Sequence, residues 1–263
     1  MLGAIAGDVI GSVHEGTGTK TKDFPLFVEH SRFTDDTVLT VAVAERLLRG
    51  GQYVDLYHDY ASAYPRAGYG GTFIRWAMYR NREPYNSWGN GSAMRVSPIG
   101  FACDSLDDVL TQARESAEVT HNHPEGIRGA QATAVAIFLA RSGRTKADIK
   151  SLVEQEFGYD LSESLDAIRE RYRFDVSCQG SVPQSIVAFL EADGYEDAVR
   201  NAISLGGDAD TMACIAGGIA EAFFGGVPDE IASRTLAALD DRLRGVVTEF
   251  RERFADRRTR RSS

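Results

Sequence analysis

At 263 residues, with 43% hydrophobic and 25% charged residues, the chain has an ordinary globular balance and the length to bury a substantial core. Its formal charge of −9 argues against a general nucleic-acid or anionic-membrane surface, which clustered Lys and Arg would have to supply. Cys103, Cys178 and Cys214 are widely spaced and form no CxxC pair, so neither a disulfide framework nor a zinc knuckle is expected, and a reducing cytoplasm fits best.

Taken in order, the chain reads as one helix after another. Residues 2–13 are small and apolar around Asp8; that acid and the lack of a basic flank argue against a signal peptide, and no apolar run is long enough to span a bilayer. Residues 36–49 place Val38, Val41, Ala42 and Leu48 on one helical stripe, and helices are also expected over 53–63 and 72–80. A Gly-, Asn- and Pro-rich loop is expected over 81–98. Helices follow at 106–118 and 126–141, the latter rich enough in Ala and Gly for close backbone approach. Residues 145–172 read as two surface helices and 196–205 as another, while 211–224 is apolar almost all round and reads as a buried central helix. The stretch 228–254 is amphipathic, and the basic end RERFADRRTRRSS, six Arg against two acids, reads as a solvated, frayed tail from about residue 255. With no period-2 alternation, no repeat and no linker, one all-α domain over 1–263 is expected.

Two acidic stretches stand out, FTDDT at 33–37 and GGDADT at 206–211. Taken alone, each reads as a helix start, with Thr34 or Asp210 as a cap and acids suiting the helix dipole. The helix after Asp210 reads as buried, however, so its acids are carried toward the core, where unpaired charge is costly. If the two stretches meet, Asp35, Asp36, Asp208 and Asp210 require cations between them, and two divalent ions would balance four carboxylates. Oxygen donors, with Thr34 and Thr211 beside them, suit Mg²⁺, Mn²⁺ or Ca²⁺ and disfavour zinc. Such an ion pair serves hydrolysis, with phosphoester and glycosidic bonds equally open at this point.

The ordered set GAIAGDVIGSVHE (3–15), FTDDT, AGYGGT (67–72), WGNGSAMR (88–95), THNHP (120–124) and SLGGDADTMACIAGGIAEAFFG (204–225) resembles the ADP-ribosylglycohydrolase family over nearly the whole chain. The resemblance implies a compact orthogonal multi-helix bundle with a binuclear Mg²⁺ or Mn²⁺ site formed by Thr34, Asp35, Asp36, Asp208, Asp210 and Thr211. It implies hydrolysis of the bond between ADP-ribose and a protein side chain or small-molecule acceptor, an arginine-linked bond being the first guess. Glu15 matches a family glutamate near the scissile ribose, and Glu15 or Asp36 would handle protons. Gly70 and Gly71 match a loop whose backbone approaches the diphosphate, and Trp88 matches an aromatic that stacks on adenine. Asn90, Gly91, Ser92 and Met94 would line the ribose and phosphate channel, with His121 near the nucleotide. Asp8, inside an apolar helix, is expected to bond backbone groups rather than react. Two other readings are a non-catalytic, crystallin-like relative, disfavoured because all six ligand positions are filled, and a two-metal nucleotide phosphohydrolase. Nothing in the sequence marks an oligomer, so a monomer is the default expectation.

Overall fold

The first helix contains a repeat that sets the architecture. Gly3, Gly7 and Gly11 recur every fourth residue and therefore fall on one face of a helix. The computed structural model, which describes residues 1–254, places that face directly against a second buried helix. A Cβ on Gly3 would stand 2.5 Å from the Gly217 carbonyl oxygen, one on Gly7 2.1 Å from that of Ala213, and one on Gly11 2.5 Å from Asp210 Cα. As the first helix ascends the second descends, so the pair is antiparallel and its backbones touch without intervening side chains.

Fifteen helices lie among the described residues, and no strand; one isolated bridge joins Gly89 to Ser177. The first eight are α1 (Leu2–Gly11), α2 (Asp35–Arg49), α3 (Tyr53–Ala63), α4 (Gly71–Met78), α5 (Gly91–Met94), α6 (Ser97–Ala102), α7 (Leu106–Glu118) and α8 (Pro124–Arg141). They are followed by α9 (Lys146–Phe157), α10 (Leu165–Arg171), α11 (Cys178–Leu190), α12 (Tyr195–Ile203), α13 (Ala209–Phe224), α14 (Asp229–Ala238) and α15 (Asp241–Phe254). The all-α expectation therefore holds. Helix α13 is the antiparallel partner of α1, and α8, α11 and α12 also pack on it. Every residue of α1 and all of α13 up to Ala220 are buried, as an apolar pattern on all sides of a helix requires.

Local chemistry explains where helices begin and where the sequence reading departs from the structure. Thr34 caps α2, Ser105 caps α7, and Thr145 with Asp148 forms a capping box on α9. Loop 81–98 is shorter than expected because Asn90 turns the chain into α5, its carbonyl accepting the Ala93 and Met94 amides at 2.8 and 3.0 Å. Helix α11, hidden in the sequence by Gly180 and Pro183, is started by Ser177, whose side chain accepts the Gly180 amide at 2.9 Å. The amphipathic stretch 228–254 divides into α14 and α15, because the backbone is extended at Leu239 and Asp240 Oδ1 accepts the Leu243 amide at 2.9 Å, starting a new helix. The basic tail from residue 255 lies outside the described residues. All three cysteines are buried, and no described helix is long and apolar enough to cross a membrane.

Candidate active site

The antiparallel register of α1 and α13 brings the C-terminal end of the first to the N-terminal end of the second, and Asp8 ties α2 to the same place. Its Oδ1 accepts the Thr34 hydroxyl at 2.7 Å, and its Oδ2 accepts the Thr34 and Thr37 amides at 2.9 and 3.1 Å together with the Thr37 hydroxyl. Asp8 thus bonds backbone groups, which anchors the start of α2. The N-termini of α2 and α13 converge, and the Thr211 hydroxyl crosses from one to the other to reach Asp36 Oδ2 at 3.3 Å. FTDDT and GGDADT meet in this way.

Carboxylates collect where the two helices converge. Oxygens of Asp8, Asp36 and Asp210 lie within 4.8 Å of one another, as do those of Glu15, Asp208 and Asp210, whereas Asp35 belongs to neither group. Asp36 and Asp210 are buried, and no Lys or Arg forms an ion pair with either among the described residues. Burial first, and then repulsion from neighbouring acids, pushes both carboxyls well above the usual range. Burial also leads the upward shifts of Asp8, Asp208 and Glu15, and it pushes Asp35 up to about 8. Asn90 opposes the shift at Asp208 by donating to its Oδ2 at 2.8 Å.

This donor set fits a hard divalent cation on an observation independent of charge counting. Asp36 Oδ1 is buried and has no hydrogen-bond partner, a costly state for a carboxylate oxygen unless something positive faces it. All the nearby donors are carboxylate and hydroxyl oxygens, the ligands of Mg²⁺, Mn²⁺ or Ca²⁺. The two helix N-termini point their positive dipole ends at the cluster and favour the ionised, ligating form.

The acids open onto a cavity of about 380 Å³. Glu15, Thr34, Asp35, Asp36, Asp208, Asp210 and Thr211 line one part of it, and Gly70, Gly71, Asn90, Gly91, Met94 and His121 line the rest. A Cβ on Gly70 or Gly71 would meet nothing within 4 Å, so the protein itself has no packing need for glycine there, and both residues line the cavity. Two of the expected site residues in WGNGSAMR lie elsewhere. Trp88 is 49% exposed and is not in the cavity wall. Ser92 is fully buried outside the wall, its hydroxyl donating to the Gly126 carbonyl at 2.7 Å. The wall also includes Arg32, Tyr85 and Arg95, to which sequence reasoning gave no role. Arg95 ends a quoted motif, but nothing in its neighbours marks an arginine as fully buried; Arg32 and Tyr85 carry no local signal at all.

The ADP-ribosylglycohydrolase family model matches residues 1–263. ADP-ribosylhydrolase ARH3 of Homo sapiens is 29% identical over 86% of this chain and 84% of its own length, and that of Mus musculus 28% identical over 86% and 82%. ADP-ribosylarginine hydrolase Tri1 of Pseudomonas putida is 24% identical over 88% of this chain and 71% of its own. A solved structure described as an ADP-ribosylglycohydrolase-related protein complex superposes with a TM-score of 0.66 at 26% identity, covering 95% of this chain and 96% of that one. With its acidic cleft between α1, α2 and α13, this chain belongs to the ADP-ribosylglycohydrolase family.

Proposed function

We propose that this protein hydrolyses the glycosidic bond between ADP-ribose and an acceptor, with two divalent cations, Mg²⁺ or Mn²⁺, held by Thr34, Asp35, Asp36, Asp208, Asp210 and Thr211. The observation that carries the reading is the buried acid cluster, with Asp36 Oδ1 unpartnered, opening on a cavity that continues along Gly70–Gly71 and Asn90–Gly91. When bound, such ions supply charge neutralisation, polarise sugar hydroxyls and lower the pKa of water.

The chain's own residues divide the remaining work. Asn90 holds Asp208 in place through its 2.8 Å amide bond, and Asp8 holds the start of α2 so that Asp36 faces Asp210. Glu15 stands exposed at the cavity rim beside Asp208, and its raised pKa suits a group that gives a proton to a leaving acceptor. Gly70 and Gly71 leave room for a diphosphate to approach the backbone. An arginine-linked bond is the first acceptor to test, as the name of the Pseudomonas relative suggests.

The test is a panel of arginine-, serine- and nucleotide-linked ADP-ribose conjugates with Mg²⁺ and Mn²⁺ in parallel. Free ADP-ribose should appear from at least one conjugate, and Asp36→Asn or Asp210→Asn should remove most of that activity while the helical circular-dichroism spectrum persists. Full turnover in either variant in metal-replete buffer would sink the assignment. Binding of ADP-ribose with no release from any conjugate would instead identify a non-catalytic relative, and phosphate release from simple nucleotides a phosphohydrolase.

A further inference from the structure

At the cavity wall, three buried side chains form a chain of hydrogen bonds. Arg95, fully buried, donates from one terminal nitrogen to the Ser116 carbonyl at 2.7 Å and to Thr120 Oγ1 at 3.0 Å, and its guanidinium lies 4.3 Å from the centroid of the Tyr57 ring. Thr120 Oγ1 in turn lies 2.7 Å from His121 Nδ1. The other ring nitrogen, Nε2, lies along the cavity wall, 3.3 Å from where a Cβ on Gly91 would be and 3.7 Å from one on Gly89. No described residue bonds to it.

The direction of each bond follows from what the groups can do. A guanidinium has only donors, so Arg95 must fill a lone pair of the Thr120 oxygen. The threonine hydroxyl keeps a single hydrogen to give, and the His121 Nδ1 at 2.7 Å is an acceptor within reach of it. An Nδ1 that accepts a hydrogen bond carries no hydrogen, and in a neutral imidazole the hydrogen then sits on Nε2. The ring is neutral because burial first, and the Arg95 charge second, hold it well below the usual histidine range.

We infer that Arg95 and Thr120 are positioning residues that lock His121 as the Nε2–H tautomer, making it a fixed hydrogen-bond donor to an acceptor atom of the ligand in the cavity. The tautomer rests on the hydrogen-bond network alone; the ligand rests on the ADP-ribose reading above. A donor fixed before binding avoids the cost of selecting one of two tautomers when the ligand arrives.

Two-bond ¹H–¹⁵N correlation spectra of the ¹⁵N-labelled protein at neutral pH read the tautomer directly, with His121 assigned by the loss of its signals in His121→Gln. A bare Nδ1 and a protonated Nε2 are expected in the free protein; a protonated Nδ1, or two interconverting tautomers, overturns the inference. Thr120→Val should release the lock and weaken ADP-ribose binding about tenfold, the loss of one charge-assisted contact, and Thr120→Ser should restore both. An unchanged tautomer in a folded Thr120→Val protein overturns the role of Thr120, and if that variant does not fold the wild-type spectrum still decides. On titration with ADP-ribose the Nε2 resonance should move; ADP-ribose that binds without moving it overturns the inference while leaving the proposed function standing. A locked tautomer with no ADP-ribose binding removes the proposed function, and with it the ligand assigned to this donor.

Discussion

Replacing Asp35 by Asn in metal-free protein should make the fold more stable, although it removes an acid from the first turn of a helix. Burial and the charges of Asp8, Asp208 and Glu15 push the Asp35 carboxyl up to about 8 from an ordinary 3.8. A carboxyl with a raised folded-state pKa keeps its proton in the fold and releases it on unfolding, so its cost is absent below about pH 4, grows as pH rises and levels off above about pH 8. At pH 7 the gap of about three units corresponds to about 4 kcal/mol, or about 2 kcal/mol after allowing for the part of the side chain that meets cavity water. Because the folded-state carboxyl is mainly protonated at pH 7, Asn removes no helix-terminal charge there, and the gain of about 2 kcal/mol corresponds to roughly 4–8 °C in Tm for a chain of this size. Differential scanning fluorimetry of EDTA-treated Asp35→Asn and wild type at pH 7 and pH 4 should show the variant ahead at pH 7 and the two together at pH 4. If Asp35 is a ligand as proposed, the order should reverse with Mg²⁺ or Mn²⁺ added. A metal-free variant melting at or below the wild type at pH 7 would refute the argument that the acid is held at a cost.

Metal removal should lower the Tm of the wild type, and adding back the ion at a hundred times its Kd should restore about 2.7 kcal/mol, with a larger Tm rise at pH 8 than at pH 5, where protons compete for the same oxygens. Gly71→Ala should leave thermal stability unchanged or slightly improved, since its Cβ meets nothing and α4 begins there, yet it should weaken ADP-ribose binding measured by calorimetry at least severalfold. Gly7→Ala should have the opposite profile: its Cβ would lie 2.1 Å from the Ala213 carbonyl oxygen, so α1 must move off α13 and stability should fall by about 1–3 kcal/mol or more in chemical denaturation.

How much of this could be read from the sequence depended on whether the signal was local. The apolar periodicity of α2, α8 and α13 was legible, and so were the acids at two helix starts, because caps and stripes are written in neighbouring residues. Helix α11 was not, since Gly180 and Pro183 are breakers whose effect Ser177 overrides by capping the first turn. The meeting of Asp36 with Thr211 is separated by 175 positions, and its only sequence trace is the four-residue spacing of Gly3, Gly7 and Gly11, which sets the register of α1 on α13. Within WGNGSAMR, neighbouring residues face different ways: Asn90 and Gly91 line the cavity, Ser92 points into the core and Trp88 stands outside. A motif marks the segment, and only the fold decides which of its side chains reach the site.

That fold creates a charge imbalance which its own polar groups do not remove. Two carboxylates at the 4.8 Å limit of each acidic group repel by about 3.5 kcal/mol at an effective dielectric of 20, and each group contains three such pairs. The opposing terms within the protein are two helix N-termini, each worth about 2 kcal/mol at best in a partly buried setting, and hydrogen bonds such as the one from Asn90. Asp8 is compensated by the Thr34 and Thr37 amides and hydroxyls, whereas Asp36 receives the Thr211 hydroxyl at only 3.3 Å. Asp36 and Asp210 stay well above the usual carboxylate range despite these bonds, through burial and then the neighbouring acids, so their charge is neutralised by cations or by protons. Protons would satisfy the energetics, but a protonated carboxyl is a poor ligand and leaves Asp36 Oδ1 facing nothing. Divalent ions satisfy the charge and the orphaned oxygen together, which is why metal-dependent stability, measured before any substrate is known, tests the centre of the functional proposal.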